Sequence, residues 1–299
     1  MSQGYQALRH GAAWMDLSAR GRIVVRGRDR ARLLHAITSN EVKKMTPGSG
    51  CYAFLLNPQG RIQADLCLFC FEDRFLIDTE PELREKVHQH IKRYIIADQV
   101  ELEDVTAQTA AIALEGPCAS AILAHLGAPL PAAAFAHQSW DGFTIAAVTV
   151  TGQPGFRLYG GTDDRFLSSV VMSLVRPLEE AGAVPATPED ARAVRIENGR
   201  PRYGEEIRDT SLPQETQQMH GVSFNKGCYL GQEIVERIRA QGRVNKKLMR
   251  VELDGAELPE PGTKTTVDGA EAEVMSSVVS PESGKIIALA YVRQSEPRT

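Results

Sequence analysis

The chain has 299 residues, 42% of them hydrophobic and 24% charged, with a formal net charge of −4. That balance is ordinary for a globular protein, and its acid excess speaks against nucleic acid or a membrane surface as a broad partner. No run of about 18 apolar residues suggests a membrane span, and residues 1–20 lack the apolar stretch of a secretory leader. A chain this long is expected to fold as two or three domains. Its five cysteines (51, 67, 70, 118 and 228) are scattered and odd in number, which suits a reducing cytoplasm better than a disulfide scaffold.

Arg22–Arg26 reads as a strand closed by Gly27. Leu33, Leu34 and Ile37 form the stripe of a helix over about Asp29 to Ile37, with Thr38-Ser39-Asn40-Glu41 as its polar end. From Cys51 to Asp78 the pattern is three strands, Tyr52–Leu56, Ile62–Phe71 and Phe75–Ile77, joined by Asn57-Pro58-Gln59-Gly60 and Glu72-Asp73. Strand alternation puts Ile62, Ala64, Leu66 and Leu68 on one face and Gln63, Asp65 and Cys67 on the other, which spacing alone marks as solvated. Cys67 and Cys70 form a CxxC, but three residues apart on a strand they point to opposite faces and are poorly placed to share a metal.

Glu82 to Ala97 reads as an amphipathic helix whose His88 and His90 fall on roughly opposite sides and make no chelating pair. Strands follow at Val100–Val105 and Ala110–Leu114, then a helix from Gly116-Pro117 to Gly127 and an Ala- and Pro-rich surface connection over 128–140. Phe143–Val150 and Phe156–Tyr159 read as strands, and about Asp164 to Glu180 as a helix in which Pro177 marks a kink or break. Thr187-Pro188-Glu189-Asp190 combines a hydroxyl cap, a first-turn proline and acids at the positive end of a helix that stops before Gly199. Glu197 lies at its C-terminal end, where a carboxylate is disfavoured, which makes a binding role more credible.

Residues 200–225 show little periodicity, and so long an irregular stretch inside a compact protein is usually functional. It leads into Lys226-Gly227-Cys228-Tyr229-Leu230-Gly231-Gln232-Glu233, with Ile234, Val235 and Ile238 at helical spacing from Gln232 to about Arg239. A thiol near a helix start and a lysine sits in a positive field that favours thiolate, which singles out Cys228 and Lys226. The plain alternative is a small buried residue in a turn. Arg237, Arg239, Arg243, Lys246 and Lys247 suit either a solvated face or an anionic ligand, without interleaved aromatics for nucleic-acid stacking. Beyond Asn245 come four short strands, Leu248–Leu253, Thr263–Val267, Glu273–Val279 and Ile286–Val292. They suggest a small antiparallel barrel or curled sheet over residues 244–299, separate from an α+β region over 1–243.

The octapeptide resembles the signature of the folate-binding proteins of iron–sulfur cluster assembly and repair (the YgfZ type), within the superfamily of the glycine-cleavage T-protein, an aminomethyltransferase. Leu33–Asn40 with Gly50, Tyr52 and Gly60-Arg61-Ile62 resembles that superfamily's first block, and Ser276–Val278, Ser280-Pro281 and Ile287–Tyr291 its C-terminal barrel block. The resemblance implies interleaved N-terminal α+β domains, a C-terminal β-barrel and a reduced folate such as tetrahydrofolate in a central opening. It places Asp65 at the folate's one-carbon unit, with one acid of the family's adjacent pair lost to Ala64. Glu197 of Arg195-Ile196-Glu197-Asn198-Gly199 would hold the pterin, a carboxylate being able to accept two parallel hydrogen bonds. Tyr52, Asn40, Tyr229 and Arg237 complete the implied folate site, and Cys228 becomes the reactive group toward iron–sulfur clients. Three functions stay open: such an accessory factor, a folate-dependent one-carbon transferase, and a non-catalytic folate-binding module.

Overall fold

The structure, a computed structural model, describes residues 1–161 and 167–294. In chain order come α1 (Gln3–His10), β1 (Ala13–Asp16), β2 (Gly21–Arg26), α2 (Arg30–Ile37), β3 (Gly50–Leu56), β4 (Ile62–Cys70), β5 (Arg74–Thr79), α3 (Arg84–Tyr94), β6 (Glu101–Asp104) and β7 (Thr109–Glu115). Then follow α4 (Ala119–His125), β8 (His137–Trp140), β9 (Phe143–Ala146), β10 (Gly155–Gly161), α5 (Leu167–Glu180), β11 (Val184–Pro185) and α6 (Pro188–Glu197). The chain continues through α7 (Pro213–Thr216), α8 (Gln232–Gln241), β12 (Lys246–Leu253), β13 (Lys264–Val267), β14 (Ala270–Val279) and β15 (Ile286–Arg293).

Among the described residues the strands form three sheets, ordered β11-β1-β7-β10-β9-β8, β3-β4-β5-β2-β6 and β12-β15-β14-β13. Since β1 belongs to the first sheet and β2 to β6 to the second, the N-terminal region interleaves in sequence as the resemblance implies. Ile62, Ala64, Leu66 and Leu68 of β4 pack with Leu33, Leu34 and Ile37 of α2 and with Val87 and Ile91 of α3. The opposite face, carrying Cys67 and Phe69, does not meet solvent: it packs against Ala111, Ala146 and Tyr159 of the six-stranded sheet. The expectation that Asp65 faces water is therefore corrected, because a second sheet covers that face and leaves Asp65 9% exposed. Cys67 and Cys70 do point to opposite faces, into two different clusters.

Several boundaries move for local reasons. The expected helix over Glu82–Ala97 is a single tight turn at Pro81–Leu83 followed by α3, and Ile96, beyond its end, is 88% exposed. The expected strand to Val150 stops at Ala146. Residues Val150 and Thr151 are instead held as a loop by the buried Glu115, whose carboxylate accepts both their backbone N–H groups, at 2.6 and 2.9 Å, and the Thr151 hydroxyl. The expected helix start at Asp164 lies outside the described residues, and α5 runs through Pro177 as one helix. The start of α6 is as expected, a reciprocal cap between Thr187 and Asp190. α1 and β1 had no expectation; α1 is held by packing on α6 through Tyr5, Leu8, Ala193 and Val194.

The C-terminal strands form the antiparallel sheet expected there, bulged between Val274 and Ser276 and left open between β12 and β13. One face packs Leu248, Met275, Ile287 and Leu289 against Ile196 of α6.

Candidate functional site

Asp65 lies where the two N-terminal sheets and the stretch after α6 meet. The Tyr52 hydroxyl, from the neighbouring strand β3, donates to Asp65 Oδ2 at 2.7 Å. Burial, helped by the charge of Glu80, pushes the Asp65 carboxyl up to about 6, against the Tyr52 hydrogen bond and the Arg20 charge. A carboxyl near 6 can hold or release a proton close to neutral pH, which is what proton transfer at a nitrogen requires. The cleft at Asp65 has a volume of about 60 Å³. It borders a cavity of about 330 Å³ at Phe135 and His220, with which it shares Val148, Thr149 and Arg200. On another side lies an apolar cavity of about 510 Å³ at Trp14, Leu17 and Pro185, with which it shares Arg20, Glu80, Arg195 and Arg202.

Those arginines carry most of what the sequence reading missed. Arg20 pairs with Asp78 at 2.7 Å and with Glu80; Arg157 reaches Asp78 at 2.9 Å and Arg202 reaches Glu80 at 3.0 Å. Arg195, at the edge of the cleft, is fixed by Glu205 at 3.0 Å and Glu206 at 2.9 Å. Despite full burial, Asp78 is held below the usual carboxylate range by Arg157 and Arg20. No local motif marks Arg20, Asp78, Glu80, Arg157 and Arg202, which come from four segments. The only available signal was charge inside strand-like runs, as with Asp78 after Ile77 and Arg157 after Phe156.

The octapeptide is built differently from the sequence expectation. The Lys226 ammonium turns inward and donates to three backbone carbonyls at the end of α2, His35, Thr38 at 2.6 Å and Asn40 at 2.9 Å. Burial pushes its pKa down to about 8. Its charge thus closes a helix terminus, in a favourable place for a cation. Tyr229 is also buried, in the core beneath β3 and β4, with Lys226 Nζ 4.9 Å from its ring centre. Cys228 between them is exposed. Gly231, with φ of +82°, caps α8 and lies so close to the β3–β4 turn that a Cβ there would be 2.5 Å from the Asn57 carbonyl oxygen.

The remaining expected ligands lie apart from Asp65. Glu197 does not line the Asp65 cleft: its two carboxylate oxygens each accept from the Tyr5 hydroxyl at 2.9 Å, with Arg9 at 4.0 Å. Half a helical turn separates it from Arg195, which does face the cleft. Asn40 braces Tyr52 from behind, donating to the Tyr52 carbonyl at 2.8 Å and the His220 carbonyl at 2.9 Å. Arg237 is exposed on α8 and lines none of the three cavities. Among the described residues no three His, Cys, Asp or Glu side chains are grouped to hold a metal, and no helix is long and apolar enough to cross a membrane.

Residues 1–226 match the family described as the GCVT N-terminal domain. The chain belongs to the glycine-cleavage T-protein superfamily. It is 30% identical to an aminomethyltransferase of Rubrobacter xylanophilus, over 96% of this chain and 78% of that protein. It is 28% identical to a putative chloroplastic transferase of Arabidopsis thaliana, over 98% of this chain and 68% of that one. The solved glycine cleavage system aminomethyltransferase T of Bartonella henselae matches 97% of this chain and 81% of its own with a TM-score of 0.84 at 20% identity, a likeness of fold. The α+β class and the interleaved N-terminal region are those of this superfamily.

Proposed function

We propose that the protein binds a reduced folate such as tetrahydrofolate in the space around Asp65 and serves the assembly or repair of iron–sulfur clusters in client enzymes through Cys228. The observation that carries the reading is the construction of the octapeptide. Lys226 and Tyr229 are buried to hold the loop while Cys228, between them, is turned to solvent. A core turn would bury the small residue and expose the long ones; this loop does the reverse and presents a thiol. Cys228→Ala is expected to keep the thermal unfolding midpoint within about 2 °C, since it removes no packed atom. It is also expected to abolish rescue of iron–sulfur enzyme activity in cells that lack the protein. Full rescue by the variant would overturn the role of the thiol.

A second reading, a one-carbon transferase, is favoured by the Tyr52–Asp65 pair. With its carboxyl near 6, Asp65 can carry a proton at the folate N5 or N10 while the Tyr52 hydroxyl steadies the ionised form. Transfer of a one-carbon unit from an aminomethyl donor to tetrahydrofolate, lost in Asp65→Asn and kept in Cys228→Ala, would decide for it. The pterin clamp that the resemblance assigns to Glu197 requires Tyr5 to release that carboxylate. Titrating Glu197→Gln with tetrahydrofolate reads whether it does: unchanged affinity leaves Glu197 with the structural role seen here. The proposal divides the chain into a folate-binding region over 1–243 and a C-terminal domain over 244–299.

A further inference from the structure

The loop that carries Cys228 is seated on a histidine. His35, in the last turn of α2, has Glu41 on one side of its ring and the octapeptide on the other. Its Nδ1 lies 3.0 Å from Glu41 Oε1. The backbone N–H groups of Val42 and Lys43 approach the same nitrogen only at 3.4 and 3.3 Å. The closer carboxylate draws the ring proton to Nδ1 and leaves the lone pair on Nε2. Among the described residues Nε2 has no hydrogen-bond partner, and it faces the loop: a Cβ at Gly227 would lie 4.0 Å from it, with no other atom so near.

The loop is pinned at this spot from both ends. Lys226 donates to the carbonyl of His35 itself, and Tyr229 is buried beneath β3 and β4. Gly227 and Cys228 are the two exposed residues between these anchors. Glycine at 227 puts no side chain over Nε2, so the approach from the thiol-bearing residue stays open. The His35 side chain is only 16% exposed. Burial and the Lys226 charge, with smaller shares from Lys43 and Lys44, hold its pKa below the ordinary histidine value against the pull of Glu41. The ring is therefore neutral at pH 7, the form that accepts a proton.

We infer that His35, oriented by Glu41, is the base that serves Cys228, and that the three side chains present a nucleophile to the sulfur of a client disulfide. This role presupposes that Cys228 is the reactive group, as proposed above. A base beside a thiol, itself oriented by a third group, is the general arrangement for activating a nucleophile. Nε2 takes the Sγ proton and the electron pair stays on sulfur, which attacks one sulfur of the disulfide. A new S–S bond forms as the client's breaks, and the departing thiolate takes the proton back from the imidazolium. The exchange needs no oxidant: a disulfide is consumed, and a mixed disulfide and a thiol are formed.

The test uses the full chain with Cys118→Ser, which removes the other exposed thiol, and Cys228→Ala as the blank. Mixed-disulfide formation with 2-hydroxyethyl disulfide, an uncharged probe, is followed by intact mass from pH 6 to 10. At pH 7 the parent is expected to react at least about tenfold faster than His35→Gln, at the low end of what a positioned base supplies. Glu41→Gln should fall between them, and all three rates should converge by pH 10, where hydroxide ionises the thiol without help. Should His35→Gln fail to fold, Glu41→Gln carries the test with the same sign and the same convergence. Equal rates in parent and variants at pH 7, or a ratio that stays constant to pH 10, would overturn the role of His35, the latter because it reports access alone. Cellular rescue lost in Cys228→Ala but kept in His35→Gln would overturn the role of His35 in the client reaction and spare the thiol. Rescue kept in Cys228→Ala would overturn the thiol's cellular role even where the rates show the pair.

Discussion

Replacing Asp65 by Asn exchanges an ionisable group in an enclosed place for an amide of nearly the same shape. Burial moves this carboxyl from 3.8 to about 6, so the unfolded chain gives up the proton at lower pH than the folded one. Below pH 4 both states hold it and no penalty arises. Between about pH 4 and 6 the folded state binds more protons, and stability falls as pH rises; above 6 the penalty is complete. At about 1.4 kcal/mol per pKa unit, the penalty reaches about 3 kcal/mol. The amide oxygen can still accept the Tyr52 hydroxyl, so the hydrogen bond at 2.7 Å in the parent has a counterpart in the variant. Asp65→Asn should therefore be more stable than the parent by up to about 3 kcal/mol at pH 7.5, a gain that fades toward pH 4. Urea unfolding of both proteins at pH 4.5, 6 and 7.5 measures this, and the other titrating groups cancel in the difference. A variant less stable than the parent by the same amount at every pH would refute the reasoning. On the one-carbon-transferase reading, the stability gain should accompany loss of that transfer, as when a functional group is kept at a cost in stability.

Other substitutions test the placements. Lys226→Met strands three carbonyls at the end of α2 and should cost about 2–4 kcal/mol in chemical denaturation; an unchanged midpoint would return Lys226 to the thiol. Gly231→Ala forces a left-handed backbone and a Cβ 2.5 Å from the Asn57 oxygen, and should lower stability by roughly 1–3 kcal/mol. A neutral result in thermal unfolding would mean that the octapeptide does not dock on the β3–β4 turn. Tyr5→Phe leaves the Glu197 carboxylate with only Arg9 at 4.0 Å and should destabilise by about 1–3 kcal/mol; no loss would show that Glu197 is free for a ligand.

Local periodicity and caps were enough to place β2 to β5, α2, α6, α8 and the C-terminal strands, because each writes its pattern within a few consecutive residues. Cys228, Asp65 and Tyr52 were reachable the same way once motif resemblance was added to spacing. The roles inside the octapeptide were not. Whether Lys226 faces its neighbour Cys228 or the carbonyls of α2 depends on contacts nearly 190 residues apart, and nothing in its immediate sequence distinguishes the two. The ion-pair network of Arg20, Asp78, Glu80, Arg157 and Arg202 was illegible for the same reason, its arginines lying far in sequence from Asp78 and Glu80.

By itself the sequence determined most of the strand and helix segments, the burial of one face of β4 and the superfamily resemblance. Only the tertiary structure decided that the other face of β4 lies beneath a second sheet. That covering removes water from Asp65 and pushes its carboxyl to about 6. Spacing along a strand says which side chains share a face; what covers that face, and hence its dielectric and its charges, is set by segments elsewhere in the chain.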